Sequence, residues 1–561
     1  MGGEFKRIDV KKWRGLNEDE NPAVLEEGEL SVAENVWRYG RMIGTRPGTQ
    51  YEPETSDWDA KVEGAAALTA CQGLHDCSAT YDSVRYLLAI FNGLVWIDHT
   101  VLTGVRGLGG CTITAGDDYL WTFAEHNNRV YAAGGNTAIP DSVWYWIINP
   151  PGANLVPVVF QNAAVANIGA EYIFEKWNRL WINGMHGTGV DDGPMIGRYS
   201  ALNDGTSWPV ANTIGGTSAI GGLSAFGDEY STGWGSYQDN RGDFLLFLTN
   251  KRIYAIIQDV DPAILFRVSD TISTGCVSQR AFVDLGVDSG DAVYLSEQGI
   301  HSLRQSQIHG NKSNRYLSWK IRKTFASLNK TRLKYATGAY WPEHGIVIFA
   351  VPTGSNAFNS LLLILDVRDA DTEDGLTADN VAWYVGYVSG TDHNPQMLIQ
   401  ANDRTTEQQY IYGGNRKGDI FRFTTSNFSD MGEPYNVHIR TRHADFDAPG
   451  VTKIPGNIEV WIQSNGKYSV NMNWVYDLGD RFSSNRIIRL ENPGITIPFV
   501  LDDTAVLGSG VKLQRKVEYG TGHGETIAND FQNSSANQPF WIARVTQQVA
   551  GLGDELGDVD S

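Results

Sequence analysis

The sequence predicts an all-β protein: a β-propeller with an N-terminal extended arm and a C-terminal antiparallel β-sandwich or barrel domain. The first observation is a repeated hairpin, in which an apolar run and a polar turn precede Arg, an aliphatic and an aromatic residue. Asn tolerates the positive φ that such turns need. The second observation is composition, because 62 aromatic residues and 61 Gly among 561 residues suit many short strands joined by tight turns. The close copies are Asn127-Asn128-Arg129-Val130-Tyr131, Trp177-Asn178-Arg179-Leu180-Trp181 and Asn250-Lys251-Arg252-Ile253-Tyr254.

Looser copies of the hairpin extend the pattern over most of the chain. Their turns lie at Asn92-Gly93, Gln298-Gly299, His344-Gly345 and Lys417-Gly418. The turns recur every roughly 35 to 75 residues, around the period expected of propeller blades. We therefore predict a propeller over 59–430, with Val130, Leu180 and Ile253 on equivalent strands. In each copy the aliphatic and the aromatic residue should point to opposite faces.

Residues 1–58 are predicted to form an irregular arm. The stretch from Asn17 to Glu29 is polar and acidic, and Ser31 with Glu34 suits one short helical turn. Its apolar side chains are too many to leave in water, and the arm has no core of its own. We therefore expect the arm to dock on a neighbouring subunit or an adaptor. The residues assigned to this docking are Trp13, Leu16, Trp37 and Arg46.

Three further segments complete the domain organisation. The spacing of Trp319, Arg322 and Lys323 predicts a helix over 317–325, inserted between blades. After Met431-Gly432-Glu433-Pro434 the strands lengthen, and five apolar residues alternate from Tyr468 to Tyr476. This alternation predicts a separate antiparallel domain over 431–545. The end, 546–561, is acidic and Gly-rich and is expected to be flexible.

Motifs for catalysis or metal binding are weak. Cys71 and Cys77 bracket His75 and Asp76, but this spacing matches no zinc pattern, so we expect no metal and no cofactor. The run from Ala201 to Trp208 resembles a degenerate Asp box, although an ordinary Asn-Asp-Gly turn explains it as well. The box suggests a sialidase, which needs converging arginines. Arginines repeated at one position of successive hairpins indicate periodicity instead, so we expect no enzyme.

Charge and hydropathy limit the possible partners. The net charge is −20, and such a field repels free nucleic acid. A DNA-binding protein that reads sequence is therefore not expected. The N-terminus lacks the apolar core of a signal peptide, and the longest apolar runs are far too short to span a bilayer. We expect synthesis in a cytoplasm and no membrane insertion.

Several segments together resemble a known family. The arm contains Gly15-Leu16-Asn17, Gly28-Glu29-Leu30, Glu34-Asn35-Val36 and Arg46-Pro47-Gly48, and so resembles the opening of tail proteins of short-tailed bacteriophages. The order near 250–325 is also similar: Ile253-Tyr254, Gly275-Cys276-Val277-Ser278, the strand and turn from Val293 to Ile300, then the helix at Trp319. This order resembles the tail nozzle proteins, also called packaged-DNA stabilisation or tubular tail proteins.

The resemblance implies a structural role in the virion tail. Such nozzles form homohexameric rings below the portal and adaptor, extend the DNA channel, retain the packaged genome and conduct it at ejection. It implies as partners other copies of the chain, the adaptor and portal, tail fibres or a tail needle, and transient, non-specific double-stranded DNA. An acidic wall suits a conduit that must not grip phosphate. Isolated basic residues could still brake the DNA end: Lys320, Arg322 and Lys323.

Two other classes of function stay open from the sequence. One is a propeller that recognises tail fibres or host glycans. The other is the hydrolase that the Asp box suggests. Affinity on a carbohydrate array would indicate a glycan-binding protein, whereas six-fold rings without a cofactor would indicate a nozzle.

Overall fold

A computed structural model describes most of the chain between residues 6 and 551. Within that range it leaves out 53–69, 78–85, 92, 99–105, 109–112, 115, 117, 137–138, 141–142, 149–153, 159–168, 187–194, 210–211, 215–227, 240–241, 260–264, 287–288, 305, 307–315, 370–374, 389–392, 404–407, 480 and 491–512. The expected boundary between arm and propeller, and residues 552–561 of the acidic tail, lie outside the described residues.

The arm consists of short strands, so the prediction of an irregular segment is wrong. These strands are β1 (Lys6–Val10), β2 (Gly15–Leu16), β3 (Glu29–Glu34), β4 (Val36–Tyr39), β5 (Met42–Thr45) and β6 (Gly48–Tyr51). Ser31 and Glu34 lie within β3 and cap no helix. The arm is extended because every one of its strands pairs with another strand of the same chain.

Seven small groups of antiparallel strands, which we call blades, follow one another among the described residues after the arm. Blade one contains β7 (Cys71–Asp76), β8 (Leu87–Phe91), β9 (Leu94–Asp98) and β10 (Arg106–Leu108). Blade two contains β11 (Leu120–His126), β12 (Arg129–Asn136), β13 (Ile139–Pro140), β14 (Trp144–Ile147) and β15 (Val156–Pro157). Blade three contains β16 (Gly169–Lys176), β17 (Arg179–His186), β18 (Gly197–Tyr199) and β19 (Thr213–Ile214). Blade four contains β20 (Ser231–Asp239), β21 (Gly242–Thr249), β22 (Ile253–Gln258) and β23 (Phe266–Ile272). Blade five contains β24 (Phe282–Asp284), β25 (Ala292–Leu295) and β26 (Ile300–Ser302).

The last two blades each include or contact strands of the arm. Blade six contains β27 (Thr337–Trp341), β28 (Ile346–Val351), β29 (Leu361–Asp366) and β30 (Ala382–Gly386). Blade seven contains β31 (Pro395–Asn402), β32 (Gln409–Asn415) and β33 (Ile420–Thr424), and β6 of the arm is its fourth strand. The last blade is therefore completed by residues that begin the chain.

Contacts between the first strands of successive blades close the ring. β7 contacts β11, and the contacts continue through β16, β20, β24, β27 and β31 back to β7. Small residues allow this close approach: a Cβ on Gly73 of β7 would collide with Trp121 and Phe123 of blade two. The described residues thus form a seven-bladed propeller, and the predicted fold class is confirmed.

In the repeated hairpin the side chains face the predicted sides, but the copies do not occupy the predicted equivalent strands of their blades. Val130 and Leu180 lie on the second strands of their blades, whereas Ile253 lies on the third strand of blade four. Placing all three on equivalent strands was therefore wrong. The same turn residues can connect the first and second strands of a blade or its second and third strands, because a tight turn depends on local φ and not on strand position. In each copy the aliphatic and aromatic side chains belong to different hydrophobic clusters, so they do face opposite sides.

Short helices interrupt the strands between blades five and six and at a few turns. The predicted insertion is a 3-10 helix, Leu317–Ile321, followed by α1 (Arg322–Ala326). Its buried side chains, Leu317, Ile321 and Phe325, join the main core. The other 3-10 helices in the described part of the chain are Gln279–Ala281, Lys330–Tyr335, Pro342–His344 and Asp477–Gly479.

The C-terminal strands form a sandwich together with the arm. They are β34 (Val437–Thr441), β35 (Lys453–Ser464), β36 (Ser469–Tyr476), β37 (Arg481–Phe482), β38 (Arg486–Arg489), β39 (Gln514–Tyr519), β40 (Ile527–Asn533) and β41 (Phe540–Gly551). One sheet has the order β39-β35-β41-β5-β4, with β1 also paired to β41. The other has the order β3-β34-β40-β36-β37, with β2 and β38 at its sides. The predicted alternation in β36 is confirmed, because Val470, Met472 and Trp474 are buried.

The predicted separation of the C-terminal domain needs correction. β3 lies between β30 of blade six and β34, so one sheet runs from the propeller into the sandwich. Strand β41 extends to Gly551, beyond the predicted start of a flexible tail at 546. Strand pairing sets both boundaries, and the partner strands lie in the arm, hundreds of residues away in the sequence.

The arm residues assigned to docking are buried in the chain's own core. Trp13, Leu16 and Trp37 are 1%, 3% and 2% exposed, and all belong to the cluster shared by blade six and the sandwich. The expectation that they lack a core of their own is therefore wrong. Their partners come from distant segments, which the composition of the arm alone does not reveal.

Deleting residues 1–51 should prevent the chain from folding. The deletion removes the fourth strand of blade seven and the neighbours of β34 and β41, and so exposes unpaired strand edges. We expect an insoluble or protease-sensitive product by limited proteolysis and circular dichroism. Val24→Ser is the control, because this arm residue is 65% exposed and its replacement should change little. A truncated chain that melts cooperatively like the full chain would contradict the expectation.

Candidate functional site

Arg46 lies at the centre of the junction between arm, propeller and sandwich, which we call the arm junction. Its guanidinium forms a bidentate pair with Asp430, with Nη1–Oδ1 and Nη2–Oδ2 distances of 3.0 and 2.6 Å. The side chains are only 1% and 0% exposed. The guanidinium also stacks on Tyr435, 4.0 Å from the ring centroid. Burial lowers the pKa of Arg46, but Asp430 outweighs burial and the net pKa is raised, so the guanidinium stays charged.

The remaining donors of Arg46 are also satisfied. Nε donates to Asn35 Oδ1 at 3.0 Å, Nη1 donates to Pro47 O at 2.8 Å, and Nη2 donates to Tyr387 O at 3.3 Å. All five N–H bonds of the guanidinium therefore have acceptors, as a buried arginine requires. The acceptors come from the arm, from the chain after blade six, and from Asp430 after blade seven.

Asn35 links the same three parts through its backbone and its amide. Its N–H donates to Val385 O of β30 at 2.7 Å, and its Nδ2 donates to Asn436 O at 2.6 Å. Its φ of 54° lies in the left-handed region, which Asn adopts more readily than most residues. The chain therefore turns between β3 and β4 where the two domains meet. Asn35 and Arg46 belong to the segments that carry the family resemblance.

Removing the Arg46 guanidinium should destabilise the whole chain. Arg46→Met leaves the Asp430 carboxylate buried without its partner, which costs about 3–5 kcal/mol. We expect the urea midpoint of unfolding to fall accordingly. Arg14→Met is the control, because Arg14 pairs with Glu26 on the surface and the side chains are 45% and 66% exposed. Such a pair contributes at most about 1 kcal/mol. Equal effects of the two substitutions would contradict this view of the arm junction.

Acidic side chains of the arm pair with the helical insertion. Glu18 accepts hydrogen bonds from Thr324 N at 2.9 Å and Thr324 Oγ1 at 2.8 Å. Asp19 accepts from Trp319 Nε1 at 2.6 Å and forms an ion pair with Arg322. Lys320 Nζ lies 3.1 Å from Glu29 Oε1. The insertion is thus held by carboxylates of the arm.

The three basic residues expected to face DNA therefore differ in their exposure and in their ion pairing. The Lys320 side chain is only 12% exposed against Glu29, and Arg322 is 48% exposed but paired with Asp19. Lys323 is exposed on the insertion. A cavity of about 270 Å³ lies beside Lys320, and its lining includes the acidic side chains of Asp19, Glu29 and Asp379. This surface is a poor cradle for phosphate.

A second charged cluster joins β3 to the sandwich. His438 Nε2 lies 2.6 Å from Asp530 Oδ1, and its Nδ1 lies 3.7 Å from Glu34 Oε2. Arg440 Nε donates to the same Asp530 oxygen at 2.7 Å. Burial lowers the pKa of His438, but its bonds to Asp530 and Glu34 outweigh burial and raise the pKa to about 9. The imidazole is therefore charged at neutral pH.

This cluster should make stability fall in mild alkali. A raised folded pKa gives stability that is complete below the ordinary histidine value of 6.5 and is lost as the pH rises through about 9. We expect a loss of roughly 2–3 kcal/mol across this window, measured by urea unfolding at a series of pH values. His438→Gln should flatten this part of the profile, while the exposed His523→Gln should not. An unchanged profile in His438→Gln would exclude the cluster as its cause.

The arginines considered for a sialidase stay within separate blades. Arg129 lies over Tyr145 of blade two, and Arg179 lies over Tyr199 of blade three. Arg252 directly precedes β22 of blade four, and its Nη1 donates to Tyr254 Oη of that strand at 3.5 Å. The segment that resembles an Asp box, from Ala201 to Trp208, forms a turn between β18 and β19. Within this turn Trp208 Nε1 donates to Gly205 O at 2.9 Å. These contacts stabilise individual blades.

A buried serine–histidine contact also has a structural explanation. Ser296 Oγ lies 3.0 Å from His301 Nε2, but the same oxygen accepts from the N–H groups of Gln298 and Gly299. The pair therefore closes the turn between β25 and β26. Burial lowers the pKa of His301 to about 4, which keeps the ring neutral there.

Comparisons with known proteins show a likeness of fold alone. The sequence matches no protein-family model, and no curated protein matches it. Among solved structures, BBS1N in its complex with ARL6DN covers 69% of this chain and 98% of its own, with 10% identity and a TM-score of 0.38. Raptor of Chaetomium thermophilum covers 64% of this chain and 29% of its own, with 8% identity and a TM-score of 0.34. The propeller is defined by its seven blades and their closure into a ring.

Among the described residues, no helix has both the length and the apolar composition needed to cross a bilayer.

Proposed function

We propose that this chain is a structural tail protein of the nozzle type. It would form a homohexameric ring below the portal and adaptor of a short-tailed phage virion, bear tail fibres or a needle, and conduct DNA at ejection. The observation that carries the proposal is the arm junction: Asn35 and Arg46, which carry the family resemblance, tie propeller and sandwich together. The resemblance therefore involves residues that define the architecture, and the proposal includes no catalytic step.

The charge distribution supports a conduit that does not grip DNA. The net charge is −20, and carboxylates of the arm pair with Lys320 and Arg322. A phosphate approaching these two cations would have to displace Glu29 and Asp19. Contact with DNA should therefore be weak, non-specific and steeply dependent on salt.

Two measurements on the full chain test the proposal. Electron microscopy of the purified protein, alone and with its adaptor, should show six-fold rings. Filter binding to duplex DNA at near-physiological salt should give a Kd weaker than micromolar and no sequence preference. Monomers under both conditions, or tight sequence-specific binding, would overturn the proposal. Glycan-array binding without rings would favour the recognition module instead.

Charge-neutralising variants sharpen the DNA test. Asp19→Asn with Glu29→Gln removes two carboxylates that pair with Lys320 and Arg322, so we expect DNA affinity to rise and its salt slope to steepen by about 1–2. Glu27→Gln with Asp270→Asn is the matched control, because both residues are exposed and the net charge changes equally. Thermal melts of both variants establish that they are folded. Equal affinities would show that net charge alone, and not this pairing, limits DNA contact.

A further inference from the structure

Three side chains that commonly bind transition metals meet between blades one and two. His75 belongs to β7, Cys77 directly follows β7, and Glu125 belongs to β11. Their ligand atoms all lie within 4.8 Å of one another. His75 Nε2 and Glu125 Oε1 are 3.0 Å apart. The spacing of His75 and Cys77 alone matches no zinc pattern, and Glu125 of the next blade adds a third ligand type.

The fold explains why these side chains converge. His75 and Cys77 are two residues apart in an extended segment, so both point to the same face. Phe123 and Glu125 are likewise two apart on β11, and Phe123 stacks on the His75 ring with centroids 5.3 Å apart at 19°. The stacking fixes the imidazole plane while its Nε2 faces Glu125. Contact between β7 and β11, made possible by Gly73, brings the two faces together.

The ligand set and its burial suit a zinc-class ion. Thiolate, imidazole and carboxylate all bind Zn²⁺ at about 2.0–2.3 Å, which places tetrahedral ligand atoms roughly 3.3–3.8 Å apart. The observed separations need only small side-chain movements to reach that range. Cys77 is buried, while the His75 and Glu125 side chains are 21% and 19% exposed, so an ion has a path from solvent.

We propose that His75, Cys77 and Glu125 bind one divalent transition-metal ion of the zinc class, with a water molecule as the fourth ligand. The ion would join blade one to blade two. Binding requires the Cys77 thiol to lose its proton to solvent, so one proton is released and no redox step occurs. Because the ion binds only the folded arrangement, metal should raise the Tm by an amount that grows with its concentration. This proposal is independent of the proposed function.

Cobalt titration of the full chain tests the site directly. The protein is reduced, stripped with a chelator and titrated with Co²⁺, which gives a thiolate-to-metal charge-transfer band when a cysteine coordinates it. We expect one Co²⁺ per chain, displacement of the band by Zn²⁺, and a Tm increase with Zn²⁺. Cys77→Ser should abolish the band. Cys276→Ser is the control, because Cys276 is equally buried but its Sγ donates to Ser278 O within the blade four to five cluster.

A third variant decides the question even if Cys77→Ser fails to fold. Glu125→Gln keeps a hydrogen-bonding group opposite His75 but removes the charged ligand, so metal affinity should fall at least tenfold. The proposal is overturned if the folded wild type gives no thiolate band, if the band survives Cys77→Ser, or if Glu125→Gln binds metal as tightly as the wild type. Those outcomes would leave a hydrogen-bonded His75–Glu125 pair as the whole explanation.

Discussion

The fold depends on one buried ion pair, Arg46 with Asp430. Two charges removed from water are tolerated only when every hydrogen-bonding group finds a partner. Here the five N–H bonds of Arg46 are used by Asp430, Asn35, Pro47 and Tyr387. Since these partners come from the arm and from both ends of blade seven, the charges can be buried only when all three segments are in place. The pair therefore makes the junction specific as well as stable.

This requirement explains why the propeller and the sandwich are not independent units. The polar groups of the arm junction are all hydrogen-bonded only when the three segments are in place. If one segment is missing, a buried charge is left without a partner, which costs free energy of folding. Strand β3 adds to the effect, because it continues the sheet of blade six into the sandwich. The apolar core also crosses the boundary, with Trp13 and Trp37 in the same cluster as Trp383 and Trp474. Relative movement of the two domains would break all three kinds of contact.

The sequence predicts those features that arise from local chemistry. Asn-rich turns and alternating apolar residues identified the propeller class, the insertion helix near Trp319 and the half-buried strand β36. The equivalence of Ile253 with Val130 and Leu180 failed because a turn motif does not record which strand of a blade it follows. The sequence did not reveal that the arm is ordered into paired strands, because the partners of the arm, such as Asp430 and β41, lie far along the chain. His75, Cys77 and Glu125 were missed as a group for the same reason.

The arrangement also constrains how the chain folds. β6 pairs with β33, β3 with β34, and β1 with β41, so these three arm strands can pair only after residues hundreds of positions later have been made. The strands of each of blades one to six follow one another in the sequence, so these blades can form from sequential hairpins. Closure of the ring and formation of the sandwich must follow, because they share the arm. Such non-local pairing is slow and leaves strand edges open in the meantime. The acidic stretch of the arm from Asn17 to Glu29, which includes Glu18 and Asp19, would oppose aggregation until those strands pair.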